Sequence, residues 1–348
     1  MTVNIFEFRT LLKVVENQPR AKAYLRDKFF SNVQTFNTKT VDIDIVDEES
    51  RKLAPFSDPK SGGSLHYREG YRVHTYQPAY IAPKIPTTAE DALNRLPGEN
   101  IYQQLSPEQH VAKIVAENLQ TLDRLITRRE EYMAAQALFE GKIAIDIEGT
   151  EVQTIDFWSG LSESPAATVS TLWSATGADP ISDLDEAVNT IGVNTALTPD
   201  VAILGTDAAK YLINALSANG VFDERRINLG AIEPRDLPDG VRYIGTLRYP
   251  SLDLYTYNEH YYNSATSALE PLVPVNKVLI GTARANTTRA YGIVQVFDER
   301  NQERWVVSDR VANSWVQREN PVGRVVQMTS RPLLAVHQPQ AFRVLTVA

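Results

Sequence analysis

Tyr76–Asn100 reads YQPAYIAPKIPTTAEDALNRLPGEN, a stretch in which prolines recur among tyrosines and aliphatic side chains. A proline disfavours helix at the residue before it and donates no backbone hydrogen bond to a sheet, so this stretch runs extended. Tyrosines exposed along an extended segment are usually buried against another molecule. The stretch contains no catalytic motif. It therefore indicates a subunit that assembles with others rather than an enzyme.

The composition excludes several classes of protein. The 348 residues are 43% hydrophobic and 22% charged, which is typical of a folded chain. Because there is no cysteine, disulfides, thiolate catalysis and cysteine-ligated metals are excluded. The net charge of −8 disfavours binding of nucleic acid across the whole surface, since phosphate binding depends on basic contacts. No apolar run approaches about 18 residues, so we expect no membrane span.

The N-terminal segment is unevenly charged. Basic side chains outnumber acidic ones over residues 1–40, and an acidic run follows at once from Asp42 to Glu49. A basic arm beside an acidic strand suits pairing between subunits. The alternative is that both are simply solvated faces, which is the usual fate of such charge runs.

Short helices and strands are predicted for the first 85 residues. Apolar side chains spaced three and four apart predict a helix over 5–15, and a second helical patch lies around 24–29. Alternating apolar and acidic residues at 40–47 predict a strand with one solvated face, and 65–76 reads as the returning strand. Residues 46–85 therefore belong to a long two-stranded excursion from the rest of the fold. Two strands alone bury no core, so this excursion must pack against a neighbour to be stable.

The clearest predicted element is a helix over residues 107–140. Ser106 is a good N-cap, Pro107 suits the first helical position, and Gly141 ends the helix. Apolar side chains form one stripe at helical spacing. At 1.5 Å per residue the helix is about 50 Å long and acts as a spine. Four consecutive charged side chains are expected on its solvent side or against adjacent chains, namely Arg128, Arg129, Glu130 and Glu131.

The remainder mixes helices and strands, which predicts an α+β fold. A hairpin over 143–157 precedes a helix capped by Ser182, a buried strand at 201–204 and a helix at 207–216. Further strands run to the C-terminus. Residues 182–270 form one compact insertion.

Two pairs of side chains are candidates for metal binding, and each has a simpler explanation. Asp42 and Asp44 could bind a divalent cation, but two residues apart on a strand they merely share its solvated face. His66 and His74 are evenly spaced in the returning strand, yet no carboxylate lies beside them. We therefore predict no metal site.

Candidates for catalysis are equally weak. Asp183, Asp185 and Glu186 resemble an acid–base cluster, but they occupy the first turn of a helix, where the helix dipole favours acidic side chains. No nucleophile elbow, phosphate-binding loop or dinucleotide-binding glycine motif is present. We predict no catalytic residue, no cofactor and no enzymatic activity.

Several short stretches, in order along almost the whole chain, resemble those of a known family. They are Leu25–Phe30 (LRDKFF), Gln77–Lys84 (QPAYIAPK), Arg95–Glu99 (RLPGE), Asn276–Gly281 (NKVLIG), Arg289–Gly292 (RAYG), Asn313–Val316 (NSWV) and Arg331–Val336 (RPLLAV). Each is weak alone, but their ordered combination resembles the lambda-type major capsid protein E family of tailed bacteriophages. Residues 155–270 match poorly.

This resemblance implies the Hong Kong 97-like capsid fold and a division of the chain into five parts. These are an N-terminal arm at 1–45, an extended loop at 46–85, a peripheral domain with the spine helix at 86–181, an axial domain at 182–270, and strands at 271–348 that return to the peripheral domain.

The resemblance also implies a function and partners. Hexamers and pentamers would close into an icosahedral phage head around double-stranded DNA, which an acidic chain contacts weakly and non-specifically. Scaffold, portal, maturation protease and decoration proteins are the implied protein partners, with the scaffold as a separate protein. Assembly would take place in the cytoplasm of the bacterial host, and the mature protein would reside in the virion.

Particular side chains are expected at the contacts between subunits, because aromatic residues concentrate binding energy in interfaces. The loop should lie over an adjacent subunit, and the arm should cross to another. The expected anchors are Phe29, Phe30, Tyr67, Tyr71, Tyr76 and Tyr80, with Arg128 and Arg129 on the spine helix. Two alternatives remain open at this point: an encapsulin-like cellular compartment built from the same fold, and a hydrolase that works as a small oligomer.

Overall fold

The structure is a computed structural model. It describes residues 8–17, 23–38, 40–45, 53, 56, 72–88, 107–147, 150–161, 163–218, 230–236, 240–263, 266–297, 303–318 and 323–348.

Both helices and strands are present, which confirms the α+β prediction. The helices are α1 (Phe8–Asn17), α2 (Tyr24–Phe29), α3 (Pro107–Phe139), α4 (Pro180–Thr195) and α5 (Thr206–Ala218). The strands are β1 (Val33–Thr35), β2 (Val41–Ile45), β3 (Arg72–Tyr76), β4 (Lys84–Thr88), β5 (Lys142–Ile147), β6 (Thr150–Asp156), β7 (Ala166–Thr168), β8 (Val201–Leu204), β9 (Gly230–Asp236), β10 (Val241–Arg248), β11 (Ser251–Tyr257), β12 (His260–Asn263), β13 (Ala268–Pro271), β14 (Lys277–Gly281), β15 (Thr287–Tyr291), β16 (Val294–Phe297), β17 (Glu303–Val306), β18 (Val311–Gln317), β19 (Gly323–Thr329), β20 (Pro332–Val336) and β21 (Arg343–Thr346).

The predicted spine helix is confirmed as α3, a helix of 33 residues. Its last residue is Phe139, and Gly141 stops it from continuing because its φ of +69° lies in the left-handed region that glycine adopts most easily. A Cβ at this position would also lie 2.0 Å from the ring of Trp158. Gly141 is therefore required both by its backbone conformation and by the indole that packs on it. Ser106, the predicted N-cap, lies outside the described residues.

The largest sheet has seven strands in the order β7-β21-β14-β8-β11-β10-β9. Helices α4 and α5 pack on it and bury a core that includes Leu184, Leu212, Leu254 and Ile280. The predicted insertion at 182–270 supplies β8 to β11 of this sheet. Three further strands come from outside those bounds, namely β7, β14 and β21.

The start of α4 differs from the prediction. The predicted N-cap, Ser182, lies inside the helix, and its backbone N–H donates to the carboxylate of Asp179 at 3.3 Å. Asp179 is the N-cap and Pro180 occupies the first helical position. Asp179 begins the helix because the proline that follows it lacks the N–H that a helix start leaves unsatisfied.

The N-terminal arm packs on its own subunit, so the prediction that it crosses to a neighbour is wrong for the described part. Helix α1 contacts α3 and β18, and Leu11 and Val15 are buried there. Phe29 and Phe30 are also buried, at 1% and 0% exposure, in a core shared with α3 and β20. Their rings are packed in the core of the subunit and are therefore not available to anchor a contact between subunits.

The proline-rich stretch is extended, as predicted, but part of it pairs within the subunit. β4 forms the edge of a three-stranded sheet in the order β18-β19-β4, with Pro86 opposite Val325. An edge strand accepts proline because one side of it needs no hydrogen-bond donor. Residues 89–100 lie outside the described residues.

The predicted two-stranded excursion is confirmed at its root, where β2 and β3 form an antiparallel pair with Val41 opposite Tyr76. In the described part of the chain this pair joins no larger sheet. Val41 is buried and Tyr76 packs on the same core as Phe29, so the root is fixed. We call residues 41–76 the ribbon. No helix within the described residues is long and apolar enough to cross a membrane.

Candidate assembly surface and the charge network beneath it

Helix α3 divides the four charged residues that were expected together on its surface. Arg128 and Arg129 are exposed, as predicted. Glu130 and Glu131 are buried, at 0% and 3% exposure, so the prediction was wrong for these two. A buried carboxylate is stable only if it is paired and hydrogen-bonded, and both glutamates have such partners.

Glu130 is held by two arginines that lie far away in sequence. Arg310 binds it through two hydrogen bonds, Nη1 to Oε1 at 2.7 Å and Nη2 to Oε2 at 2.9 Å. Arg26 donates from Nη1 to Oε2 at 2.8 Å, and the hydroxyl of Tyr291 donates to Oε1 at 3.1 Å. Arg310 also donates from Nε to Asp123 at 2.9 Å. One carboxylate thus joins α2, α3, β15 and the residue before β18.

The electrostatics of this charge network favour the ionised forms of Glu130 and Arg310. Burial alone would raise the pKa of Glu130, but Arg310 and Arg26 outweigh it and hold the pKa below its ordinary value. Burial alone would lower the pKa of Arg310, and Glu130 reverses that shift. Desolvating these charges is costly, so each depends on its partners remaining in place.

Glu131, on the spine helix α3, caps the N-terminus of helix α2. Its Oε1 accepts the backbone N–H of Leu25 at 2.7 Å, and its Oε2 accepts that of Arg26 at 2.9 Å. These are N–H groups of the first turn of α2, which have no partner within the helix. Burial raises the pKa of Glu131 to about 7, against the opposing effect of these two hydrogen bonds.

The carboxyl of Glu131 makes subunit stability depend on pH. Its pKa of about 7 in the folded chain lies above the ordinary value of 4.5. Between these values the folded chain holds a proton that the unfolded chain has lost, so this group's contribution to the free energy of unfolding falls as the pH rises, by up to about 3 kcal/mol. We expect Glu131→Gln to abolish this part of the slope in urea unfolding measured from about pH 4.5 to 7. An unchanged slope would refute the assignment.

Helix α2 also contacts the seven-stranded sheet. The ammonium of Lys28 lies 4.2 Å from the ring centroid of Tyr255 in β11 and 5.4 Å from that of Tyr24. The rings of Tyr24 and Tyr257 pack with centroids 5.9 Å apart. Burial raises the pKa of Tyr24 and lowers that of Lys28. The arm therefore fastens the spine helix to the large sheet within one subunit.

The described part of the ribbon's outer segment presents large apolar side chains to solvent. Leu53 is 92% exposed and Phe56 is fully exposed. Such side chains gain about 1.5–3 kcal/mol each when they are buried. Sequence reasoning selected the tyrosines of this loop and missed these two residues.

The predicted contact residues fall into four groups. Phe29 and Phe30 are core residues. Tyr67 and Tyr71 lie outside the described residues, and Tyr76 is half-buried at the root of the ribbon. The remaining three are exposed and lie apart from one another along the chain, namely Tyr80, Arg128 and Arg129. Tyr80 is 55% exposed, and the guanidinium of Arg331 stacks on its ring at 5.3 Å.

Three of the acidic residues considered for chemistry accept hydrogen bonds from other side chains. Asp183 accepts a hydrogen bond from Nε1 of Trp173 at 2.8 Å, and Asp185 accepts from Asn189 and from the hydroxyl of Tyr249. Asp42 accepts from the hydroxyl of Thr75, its neighbour across the ribbon. Within the described ranges, no group of three or more metal-ligating side chains occurs. His66 lies outside them.

Comparison with known proteins agrees with this architecture. The family model "Phage major capsid protein E" matches residues 7–347. The P21 prophage-derived major head protein of Escherichia coli O6:H1 is 24% identical over 351 residues, which cover 99% of this chain and 100% of that protein. The major capsid protein of Escherichia phage lambda is 25% identical over 300 residues, covering 83% and 84%.

Solved structures show the same fold. A crystal structure assigned to a prophage capsid protein of E. coli CFT073 superposes with a TM-score of 0.71 at 19% identity, covering 98% of this chain and 99% of that chain. A phage-related protein from Bordetella bronchiseptica RB50 superposes with a TM-score of 0.53 at 13% identity, covering 99% and 97%. These findings support the Hong Kong 97-like capsid fold.

The family match extends over nearly the entire sequence and favours a phage shell over the encapsulin and hydrolase alternatives. The matched family and relatives are structural major capsid proteins. The chain belongs to the phage major capsid protein E family, and it is a lambda-type major capsid protein of a phage head.

Proposed function

We propose that this capsid protein assembles as hexamers and pentamers, which close into an icosahedral head around double-stranded DNA. The seven-stranded sheet with α4 and α5 would form the axial domain, near the centre of each ring. The spine helix, the arm and the strands β15 to β20 would form the peripheral domain. The axial domain then exceeds the bounds 182–270, because β7, β14 and β21 complete its sheet.

The observation that supports intersubunit contact most strongly is the exposure of Leu53 and Phe56 on a ribbon whose root is fixed in the core. Single exposed apolar side chains are ordinary on a protein surface, and these two are distinguished by standing almost fully in solvent only three residues apart. A neighbouring subunit that covers the ribbon would bury both. Three further exposed side chains could take part in the contact, namely Tyr80, Arg128 and Arg129. Tyr76 packs on the core at the root of the ribbon.

The partners proposed for the shell follow from the family and from the charge. A scaffold, a portal and decoration proteins would act with the chain during assembly in the bacterial cytoplasm, before it becomes part of the virion. With 43 acidic against 35 basic side chains, the inner surface would contact packaged DNA weakly and without sequence preference.

Polar replacement of the ribbon's apolar side chains tests this proposal. We expect Leu53→Ser/Phe56→Ser to leave the subunit folded but to weaken each contact by about 2 kcal/mol or more, roughly thirtyfold per contact, so that shells become rare in electron micrographs. Phe56→Leu keeps the apolar surface and should still assemble. If the double variant forms normal shells, the apolar side chains of the ribbon are not required for assembly.

Sedimentation of the wild-type chain tests shell formation itself. We expect rings and closed particles far larger than the 38.9 kDa subunit. A stable monomer or dimer under every assembly condition, with its scaffold present, would argue against the proposed assembly.

A further inference from the structure

The exposed side of the spine helix α3 carries a stripe of arginines. Over residues 118–139 the charged side chains that reach solvent are Arg124, Arg128 and Arg129, and we call these three the arginine stripe. The three acidic side chains of the same stretch are buried. The spine helix is therefore acidic on its covered side and basic on its exposed side.

The buried acidic side chains do not neutralise the stripe, because they face the core. Glu130 and Asp123 are paired there with buried arginines. Among the residues that the structure describes, neither Arg124 nor Arg128 makes a hydrogen bond or an ion pair. The stripe thus presents three positive charges to solvent on a chain whose net charge is −8.

The helix and its neighbours fix the spacing of the stripe. Arg124 and Arg128 are four residues apart, so they lie on one face, separated by about 6 Å along the helix axis. The guanidinium of Arg129 stacks on the ring of Tyr132 at 5.5 Å, and that ring packs on Tyr261 with centroids 4.6 Å apart. Like charges at a spacing of four residues disfavour a helix, so an anion bound between them would stabilise it.

The chemistry of the stripe suits a polyanion better than a protein partner. A stable contact between proteins has an apolar core, whereas α3 exposes one large apolar side chain within its described residues, Leu125 at 46%. Guanidinium groups bind phosphate oxygens through paired N–H donors. Three of them on one helix face can contact the phosphates of a duplex without reading its sequence.

The stripe also lies on one outer surface of the subunit. The opposite side of α3 packs, through Leu119 and Leu122, on the sheet β18-β19-β4. On the far face of that sheet Lys84 and Pro86 are exposed. The stripe and this face of the sheet therefore lie on opposite surfaces of the subunit, and in a shell one subunit thick only one of them faces the packaged DNA.

We propose that the arginine stripe lies on the inner surface of the shell and binds the phosphate backbone of the packaged duplex. This assignment rests on the proposed function, in which the shell encloses double-stranded DNA, and it identifies the surface that contacts the DNA. It gives Arg128 and Arg129 to the DNA instead of a neighbouring subunit. Because every copy carries the stripe, many weak contacts of one kind act together on a single DNA molecule.

Chemical modification of arginines in purified heads tests this contact. Phenylglyoxal is a small reagent that modifies guanidinium groups, and peptide mass spectrometry gives the rate at each arginine. We expect the stripe to react about fivefold more slowly in DNA-filled heads than in empty heads. The difference should shrink between about 50 and 200 mM salt, because three phosphate contacts weaken about fortyfold over that range. Arg248, exposed on β10, is the matched control and should react equally in both.

The outcomes separate this assignment from the proposed function. Equal rates in filled and empty heads overturn the assignment alone. Slow modification in empty heads as well would place the stripe in a contact between subunits, and slow modification confined to precursor shells that still hold their scaffold would give it to an acidic protein segment; either result overturns DNA binding. Wild-type chains that never form heads overturn the proposed function too.

A charge-conserving substitution provides an independent measurement. Arg128→Lys keeps the positive charge and supplies an amine that formaldehyde can link to bound DNA. We expect DNA-filled heads of this variant to give about fivefold or more cross-linked peptide at position 128 than Arg248→Lys heads give at position 248. Equal cross-linking at the two positions would contradict a DNA contact at the stripe.

Discussion

Replacing Glu130 with leucine is expected to lower the free energy of unfolding of the subunit by about 3–5 kcal/mol. The variant replaces a charged side chain by an apolar one of similar size, and it leaves the guanidinium groups of Arg310 and Arg26 buried without their shared carboxylate. Asp123 still pairs with Arg310, and Asp27 with Arg26. Neither replaces a carboxylate that accepts hydrogen bonds from both arginines at once.

Urea unfolding of unassembled subunits, followed by tryptophan fluorescence, measures this loss. Arg128→Leu provides the matched control, because Arg128 is exposed on the same helix and its replacement should change stability by no more than about 0.5 kcal/mol. Should Glu130→Leu fail to fold, Glu130→Gln retains the shape and an acceptor oxygen and should show a smaller loss. Wild-type stability in both Glu130 variants would show that the charge network does not hold these elements together.

Truncating Phe29 to alanine is expected to destabilise the isolated subunit by about 3–5 kcal/mol. The ring is 1% exposed and packs edge-on against Phe342 with centroids 5.5 Å apart. The carbonyl of the same residue accepts a hydrogen bond from the hydroxyl of Thr287, so α2 and β15 meet here. The cavity left by the ring would loosen the arm from the core.

The comparison that decides the role of Phe29 is with Phe56→Ala. Phe56 is fully exposed, so its truncation should leave the unfolding of the isolated subunit unchanged and should reduce assembly. Phe29→Ala should reduce stability before any assembly takes place. The opposite pattern, with a stable Phe29→Ala monomer that cannot form shells, would show that Phe29 acts at the contact between subunits.

Elements with strong periodicity were predictable from the sequence. The apolar stripe and glycine stop predicted α3 almost to the residue, and the alternation at 40–47 predicted β2. The amphipathic pattern of α1 also showed that one of its faces is buried. It could not show in which chain the burial occurs, because an apolar stripe has the same appearance whether its partner is its own subunit or a neighbour.

Long-range contacts were not predictable in the same way. Glu130 and Glu131 follow two arginines in a charged run that is typical of a solvated helix face, and their partners lie more than 100 residues away in sequence. Similarly, β7, β14 and β21 join the large sheet through pairings that no local pattern indicates. The exposure of Phe56 depends on the whole fold as well, and no local pattern in the sequence indicates it.

Tracing the ribbon in an electron microscopy reconstruction of the assembled shell tests the central claim most directly. We expect density for residues 46–71 to leave its own subunit and lie over a neighbour, while Val41 and Tyr76 remain on the core of their own chain and α1 and α2 remain on its spine helix. A ribbon folded back on its own subunit, with the arm extended to a neighbour instead, would contradict this arrangement.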